Sequence, residues 1–263
     1  VLFAVHASWS LRTVRTCSMS LEVADHWYDI EVLSKDVTWI DELHVQPQAV
    51  GNIWLLEGSE QCLVFDTGTG LGKLAKTIAM LTDKPVTAIA STGYYDHAGG
   101  LNQFEHRAVH PQEVSRVSTP TPRNTVSDKY FKQAVLKAIP YEGFSAKEYV
   151  MRGRDPTQLL DDGTRIDIGR RCFDVIHTPG VTAGSIALYE EITGFLFSGE
   201  SLSDSDPLYF GEPVDESSDA DNEAHRASMT RLLELDVSTV YPGHLSPFDA
   251  HRLRQILNQY LGL

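Results

Sequence analysis

The stretch STGYYDHAGG, residues 91–100, sets two metal-type donors, Asp96 and His97, side by side ahead of a glycine pair. A carboxylate and an imidazole are side chains that zinc, iron and manganese accept. DTG at 66–68, SGE at 198–200 and PGH at 242–244 share the design, each placing a polar or ligand-type residue straight after a short hydrophobic run. Strands that end on one edge of a sheet would gather such residues into one site. The same stretch begins with Thr92 and Tyr94, which are poor metal donors. By itself it fits a metal centre, half of one, or the remnant of one.

The elements that must position these residues read as strands alternating with helices. DVTWID (36–41), NIWLLEG (52–58) and QCLVFDTGTG (61–70) are alternating or continuous apolar runs that stop at Gly or Asp-Thr-Gly. LGKLAKTIAMLT (71–82) puts Leu71, Leu74, Ile78 and Leu81 on one helical face, and PVTAIAS (85–91) is a buried-type strand that delivers the Asp96–His97 loop at its carboxyl end. A Pro- and Thr-rich connection (118–127) leads to a predicted helix around 128–139 and an irregular stretch to about 156. QLLDDGTRIDIG carries a DDG turn between apolar pairs, and RCFDVIHTPG, GSIALYEE and GFLFSGES follow as strands. A helix over 221–235, a short strand STVYPGH and a helix from about 248 to 262 complete the order. Two sheet-and-helix halves result, without linker, repeat or low-complexity tract.

Composition narrows the function. The chain has 263 residues, enough for a large core without disulfides. Its formal charge of −14 repels phosphate backbones and anionic membrane surfaces, which disfavours nucleic acid, nuclease activity included. No apolar run approaches the roughly 20 residues of a membrane span. Cys17, Cys62 and Cys172 are widely spaced and form no CxxC pair, which suits a reducing, cytoplasmic setting, with the two later thiols expected in the core. Residues 1–20 lack acids and carry arginines after the apolar run, the reverse of a secretory signal, and are expected to be a disordered or misassigned extension to a single domain over 21–263. An organelle presequence is the minority alternative. The acidic stretch EPVDESSDADNE (212–223) is expected to be a solvated loop.

The order DTG, DHAGG, HTPG with GSIAL, FSGE and YPGH resembles the metallo-β-lactamase fold family, which includes glyoxalase II and related thioesterases, from about residue 28 to 262. GNIWLLEGSE, LVFDTGTGL, DHAGGLNQF and RAVHPQE further resemble its acyl-CoA thioesterase-like branch. The resemblance implies an α/β, αββα four-layer sandwich of two mixed β-sheets flanked by helices, with a metal site at one edge. The family's H-x-H-x-D-H loop falls on Thr92, Tyr94, Asp96 and His97, its HTPGH turn ends here on Val181, its bridging aspartate falls on Glu200 and its last histidine on His244. The three histidines of one metal pocket are thus replaced by Thr92, Tyr94 and Val181. The other pocket retains Asp96, His97, Glu200 and His244, a sufficient set for one divalent ion, zinc first, with iron and manganese as alternatives. The extra methylene of Glu200 carries its carboxylate about 1.3 Å further than an aspartate, toward the emptied pocket.

The implied activity is hydrolysis of a small-molecule thioester, ester or lactone at a single-metal site. Asp96 or Glu200 serves there as orienting group or base, and Tyr94 is either a space filler or a hydrogen-bond donor to the substrate carbonyl. The alternative is an inactive homologue that binds a small molecule or partner. The chain leaves room for a homodimer. Asp66 is expected beside the metal pocket, His177 in a core or supporting role, and His44, His106 and His110 as surface or internally satisfied histidines rather than replacement ligands.

Overall fold

In the computed structural model, residues 21–205, 208 and 221–263 are described. The expectations for residues 1–20, Cys17 included, and for most of the acidic 212–223 stretch lie outside these residues.

Seven strands lie in chain order in the first sheet: β1 (Tyr28–Ser34), β2 (Val37–Glu42), β3 (Ile53–Glu57), β4 (Cys62–Phe65), β5 (Val86–Ile89), β6 (His106–Val109) and β7 (Gln158–Leu159). The β1–β4 ladder is antiparallel and β4–β7 is parallel. Between them run α1 (Leu74–Leu81), α2 (Tyr95–Ala98), α3 (Val114–Ser118) and α4 (Ser127–Tyr130). The second sheet takes β8 (Arg165–Asp167), β9 (Cys172–His177), β10 (Ile186–Glu190), β11 (Phe195–Gly199), β12 (Thr239–Pro242) and β13 (Phe248–Asp249), and it is antiparallel except for the β11–β12 pair. Its helices are α5 (Asn222–Leu233), capped by Asp221, and α6 (Ala250–Leu261), capped by Asp249.

Strands β3, β4, β10 and β11 read as unbroken apolar runs because both of their faces are buried. Along β3, Trp54 and Leu56 enter the layer between the sheets while Ile53 and Leu55 pack toward the outer helices. On β4, Leu63 and Phe65 face inward and Cys62 and Val64 outward. The second sheet repeats this period of two: Leu188 and Phe197 point into the shared layer, Ala187 and Leu196 toward α5 and α6. Trp54 packs edge-on against Tyr241 at 5.2 Å, and Tyr241 stacks on Phe197 at 4.7 Å, which locks the sheets together. Layer by layer this is the expected αββα sandwich. No helix among the described residues is long and apolar enough to cross a membrane.

Several local expectations change. The predicted helix over 128–139 is only the single turn α4 plus a 3-10 turn at Gln133–Val135. The chain beyond is extended because its backbone bonds to distant segments: Lys137 N donates to His44 O, Ile139 N to Glu22 O, and Gln46 N to Val135 O. Helix α1 starts three residues late and buries only Leu74 and Ile78, leaving Leu81 exposed. The DDG turn joins β7 to β8 across the two sheets rather than within one hairpin. Strand β1 escapes the sequence pattern because it is an edge strand with six of its seven residues exposed, so burial imposes no periodicity on it. Cys62 is buried as expected, whereas Cys172 is only half-buried.

Candidate metal centre

Strand ends from both sheets meet at one edge. Strand β5 delivers the loop that enters α2, a short turn carrying Asp96 and His97 with both side chains buried. In the second sheet, parallel pairing with an irregularity between Phe197 and Gly199 brings the ends of β11 and β12 level, so that Glu200 and His244 project from neighbouring strands. The His244 turn is held from across the sandwich. Asn52 Nδ2 donates to Pro242 O at 2.9 Å and Leu245 O at 2.7 Å, and Trp54 Nε1 donates to Pro242 O at 3.0 Å. Gly243 is required there, since a Cβ on it would come within 2.8 Å of His97 Cε1 and 2.6 Å of the Gly199 carbonyl.

Three of the donors, Asp96, His97 and His244, converge, and Glu200 lies against the two imidazoles. His97 Nε2 and His244 Nε2 stand 3.2 Å apart, and Glu200 Oε2 lies 2.8 Å from each. Asp96 Oδ2 is 3.7 Å from His244 Nε2. Among the described residues, Asp96, His97 and His244 each offer a ligand atom within 4.8 Å of the others. Two imidazole nitrogens bound tetrahedrally to one zinc at 2.0–2.1 Å stand about 3.4 Å apart, close to the spacing here. Asp96 Oδ1 is fully buried and has no hydrogen-bond partner. A buried carboxylate oxygen without a donor is costly unless a cation satisfies it. The donor set, its spacing and this orphaned oxygen fit one divalent ion. Glu200 is placed between the two imidazoles.

Supporting contacts orient His97. Its Nδ1 meets Asp66 Oδ2 at 2.7 Å, and Asp66 also accepts from Ser91 N at 2.7 Å and Ser91 Oγ at 2.9 Å. The Asp66 backbone is left-handed, with φ 62°, a conformation a non-glycine residue keeps only when its surroundings hold it. Burial works against a charged His97, but the carboxylates of Asp66, Asp96 and Glu200 outweigh it and raise the imidazole well above its usual pKa. Burial raises the Asp96 carboxyl against the opposing pull of His97 and His244. Burial also opposes charge on Glu200, yet His244 and His97 hold it well below the usual carboxylate range. Replacing Asp66 by asparagine keeps the shape and removes the charge that fixes the ring, and it is expected to weaken metal affinity about tenfold to a hundredfold. Competition with a chromophoric chelator measures this, and unchanged affinity would remove Asp66 from the metal's support.

Among the described residues, the pocket beside the centre holds no comparable donors. Thr92 and Val181 are buried, Thr92 Oγ1 meets Thr182 Oγ1 at 3.2 Å, and the Tyr94 hydroxyl donates to Val181 O across a long 3.4 Å contact. Of the other histidines, His44 Nε2 bonds His26 O at 2.9 Å, and His106 is exposed at the start of β6. His177 Nε2 donates to Ala183 O at 2.8 Å, and its ring stacks on His110 at 4.2 Å. Asn52, Ser91 and Glu113 support the site without having been singled out by the sequence, where isolated polar residues carry no spacing signal.

The sequence pattern of the metallo-beta-lactamase superfamily matches residues 47–244. This chain belongs to the metallo-β-lactamase superfamily. It is 32% identical over 251 residues to human (Homo sapiens) acyl-coenzyme A thioesterase MBLAC2, covering 89% of this chain and 87% of that one. A hydroxyacylglutathione hydrolase of Aeromonas salmonicida is 29% identical over 151 residues, covering 57% of this chain and 46% of that enzyme. A metallo-beta-lactamase from Pontibacter korlensis superposes with TM-score 0.66 at 15% identity, over 90% of this chain and all of that one, which shows the common fold. Membership of the superfamily implies divalent metal binding.

Proposed function

We propose that this protein is a metal-dependent thioester hydrolase that works with one divalent ion, zinc first, held by Asp96, His97, Glu200 and His244. The observation that carries the proposal is the buried, unpartnered Asp96 Oδ1 beside the converging His97 and His244, with Glu200 against both imidazoles. Similarity to a thioesterase over nearly the whole chain supports a thioester as the bond attacked. When bound, the ion supplies Lewis acidity toward a carbonyl and toward water.

The chain's own groups do the rest. Asp66 fixes the His97 ring by its bond to Nδ1, so that Nε2 faces the centre. Asp96 orients the attacking water and accepts its proton, and burial raises its carboxyl above the ordinary carboxylate value. As the oxygen–carbon bond forms and the carbon–sulfur bond breaks, that proton passes from Asp96 to the departing thiolate. The Tyr94 hydroxyl, which donates to Val181 O at 3.4 Å, turns to the substrate's carbonyl oxygen and stabilises its developing charge.

A panel of acyl-CoA, S-acyl glutathione, lactone and nitrophenyl ester substrates, assayed with and without added zinc, manganese or iron, tests this. Turnover of thioesters with one ion per chain is expected. No bound ion and no turnover of any substrate would overturn it and leave a binding module in the same fold.

A further inference from the structure

Two loops frame the centre, residues 91–96 and 178–185, and one buried side chain touches both. Glu113 is fully buried at the start of α3. Its Oε2 accepts from Gly93 N at 2.7 Å, and its Oε1 accepts from Gly184 N at 3.0 Å. Arg116 Nη1 neutralises it at 3.2 and 3.3 Å and is anchored in turn by Nε to Asn124 O at 2.9 Å. Both loop contacts are made at glycine: a Cβ on Gly93 would lie 2.9 Å from Glu113 Oε2 and 2.4 Å from Arg116 Cβ, and one on Gly184 would lie 2.7 Å from Glu113 Oε1.

We propose that Glu113 is a positioning residue for the metal centre: its carboxylate is a strut, charge-balanced by Arg116, that sets the separation of the two loops. Among the described residues, the loops also meet through the Thr92–Thr182 hydroxyl pair, the long Tyr94–Val181 contact and the bond from Ile186 N to Ser91 O at 2.9 Å. The neutral side chains of Thr92, Tyr94 and Val181 offer nothing by which a second cation could draw the loops together. A charged acceptor shared by two backbone donors does so within the protein. Gly93 precedes Asp96 by three residues, so the strut fixes where the chain enters α2 and hence where Asp96 and His97 stand.

The test uses the full chain with Glu113→Gln, which keeps the shape but turns a donor toward one of the two amides. Metal-free hydrogen exchange is expected to quicken at Gly93 and Gly184 together by about a hundredfold, with Leu188 inside β10 unchanged. Tm should fall by about 10 °C, as for breaking a buried ion pair. Zinc affinity, measured by chelator competition well below that Tm, should weaken at least about tenfold. If Glu113→Gln gives no folded protein, Gly184→Ala pushes the loop off the carboxylate and should show the same paired change, reduced in size. Exchange that quickens at one amide alone, or affinity unchanged with both amides mobile, would overturn the proposal. This inference rests on the single-ion reading for its purpose, but the exchange is read without metal or substrate, so an inactive protein would still show the strut.

Discussion

Replacing His97 by alanine is expected to lower thioester turnover by about a thousandfold or more. The imidazole is fully buried, and it is the one side chain in contact with Asp66, Glu200 and His244 together. Its loss removes a ligand, leaves the Asp66 carboxylate with only Ser91 as donor, and opens a cavity between the sheet ends. A Lewis acid contributes several kcal/mol to the transition state, and about 4 kcal/mol is three orders of magnitude in rate. Bound metal should fall in parallel with kcat, as elemental analysis of the purified variant will report. The Asp66→Asn variant separates orientation from ligation: it keeps the ligands and should lose far less. Turnover that survives in His97→Ala would sink the assignment of this edge as the reacting centre.

What the sequence disclosed follows from where the physics is local. β3, β4, β10 and β11 are legible because burial on both faces forces an unbroken apolar run. Strand β1 is not, since its residues face water and obey no period. The segment after Ser127 carries helix-forming residues, but bonds to His44 and Glu22, about 90 to 120 residues away in the chain, draw it out straight. Asp96 and His97 announce themselves as adjacent donors before a glycine pair. Glu200 and His244 are single residues whose meaning depends on β11 and β12 pairing in parallel, and only the family resemblance could set them together. Glu113 has the least signal of all, for an acid at the start of a helix is the commonest of placements. Its partners Gly93 and Gly184 are 20 and 71 residues away, and no spacing in the sequence encodes the meeting.

Glu42 gives a second large effect, in stability rather than rate. It ends β2 and is buried beneath the loop that follows β4, with Trp27 Nε1 at 2.6 Å on Oε1, Thr69 Oγ1 at 2.7 Å on Oε1 and Thr69 N at 2.7 Å on Oε2. That loop also supports the centre, since Thr67 donates to His97 O through both N and Oγ1. Burial pushes the Glu42 carboxyl up to about 7 from an ordinary 4.5, although the Thr69 and Trp27 donors pull the other way. With the folded value above the unfolded one, this group's stabilisation is fully present below about pH 4.5 and is lost as pH rises through about 7. The two values correspond to about 3 kcal/mol, or a Tm shift of about 10 °C for a chain of this size. Other groups titrate in the same window, so the quantity to read is the difference between the wild type and Glu42→Gln. Glutamine does not titrate, and its mismatch with the Thr69 amide costs the same at every pH. Wild-type stability relative to Glu42→Gln should therefore decline by that amount between pH 4.5 and 8 in urea unfolding. A flat difference would mean that the three donors keep the carboxylate charged throughout, and that hydrogen bonding outweighs desolvation beneath this loop.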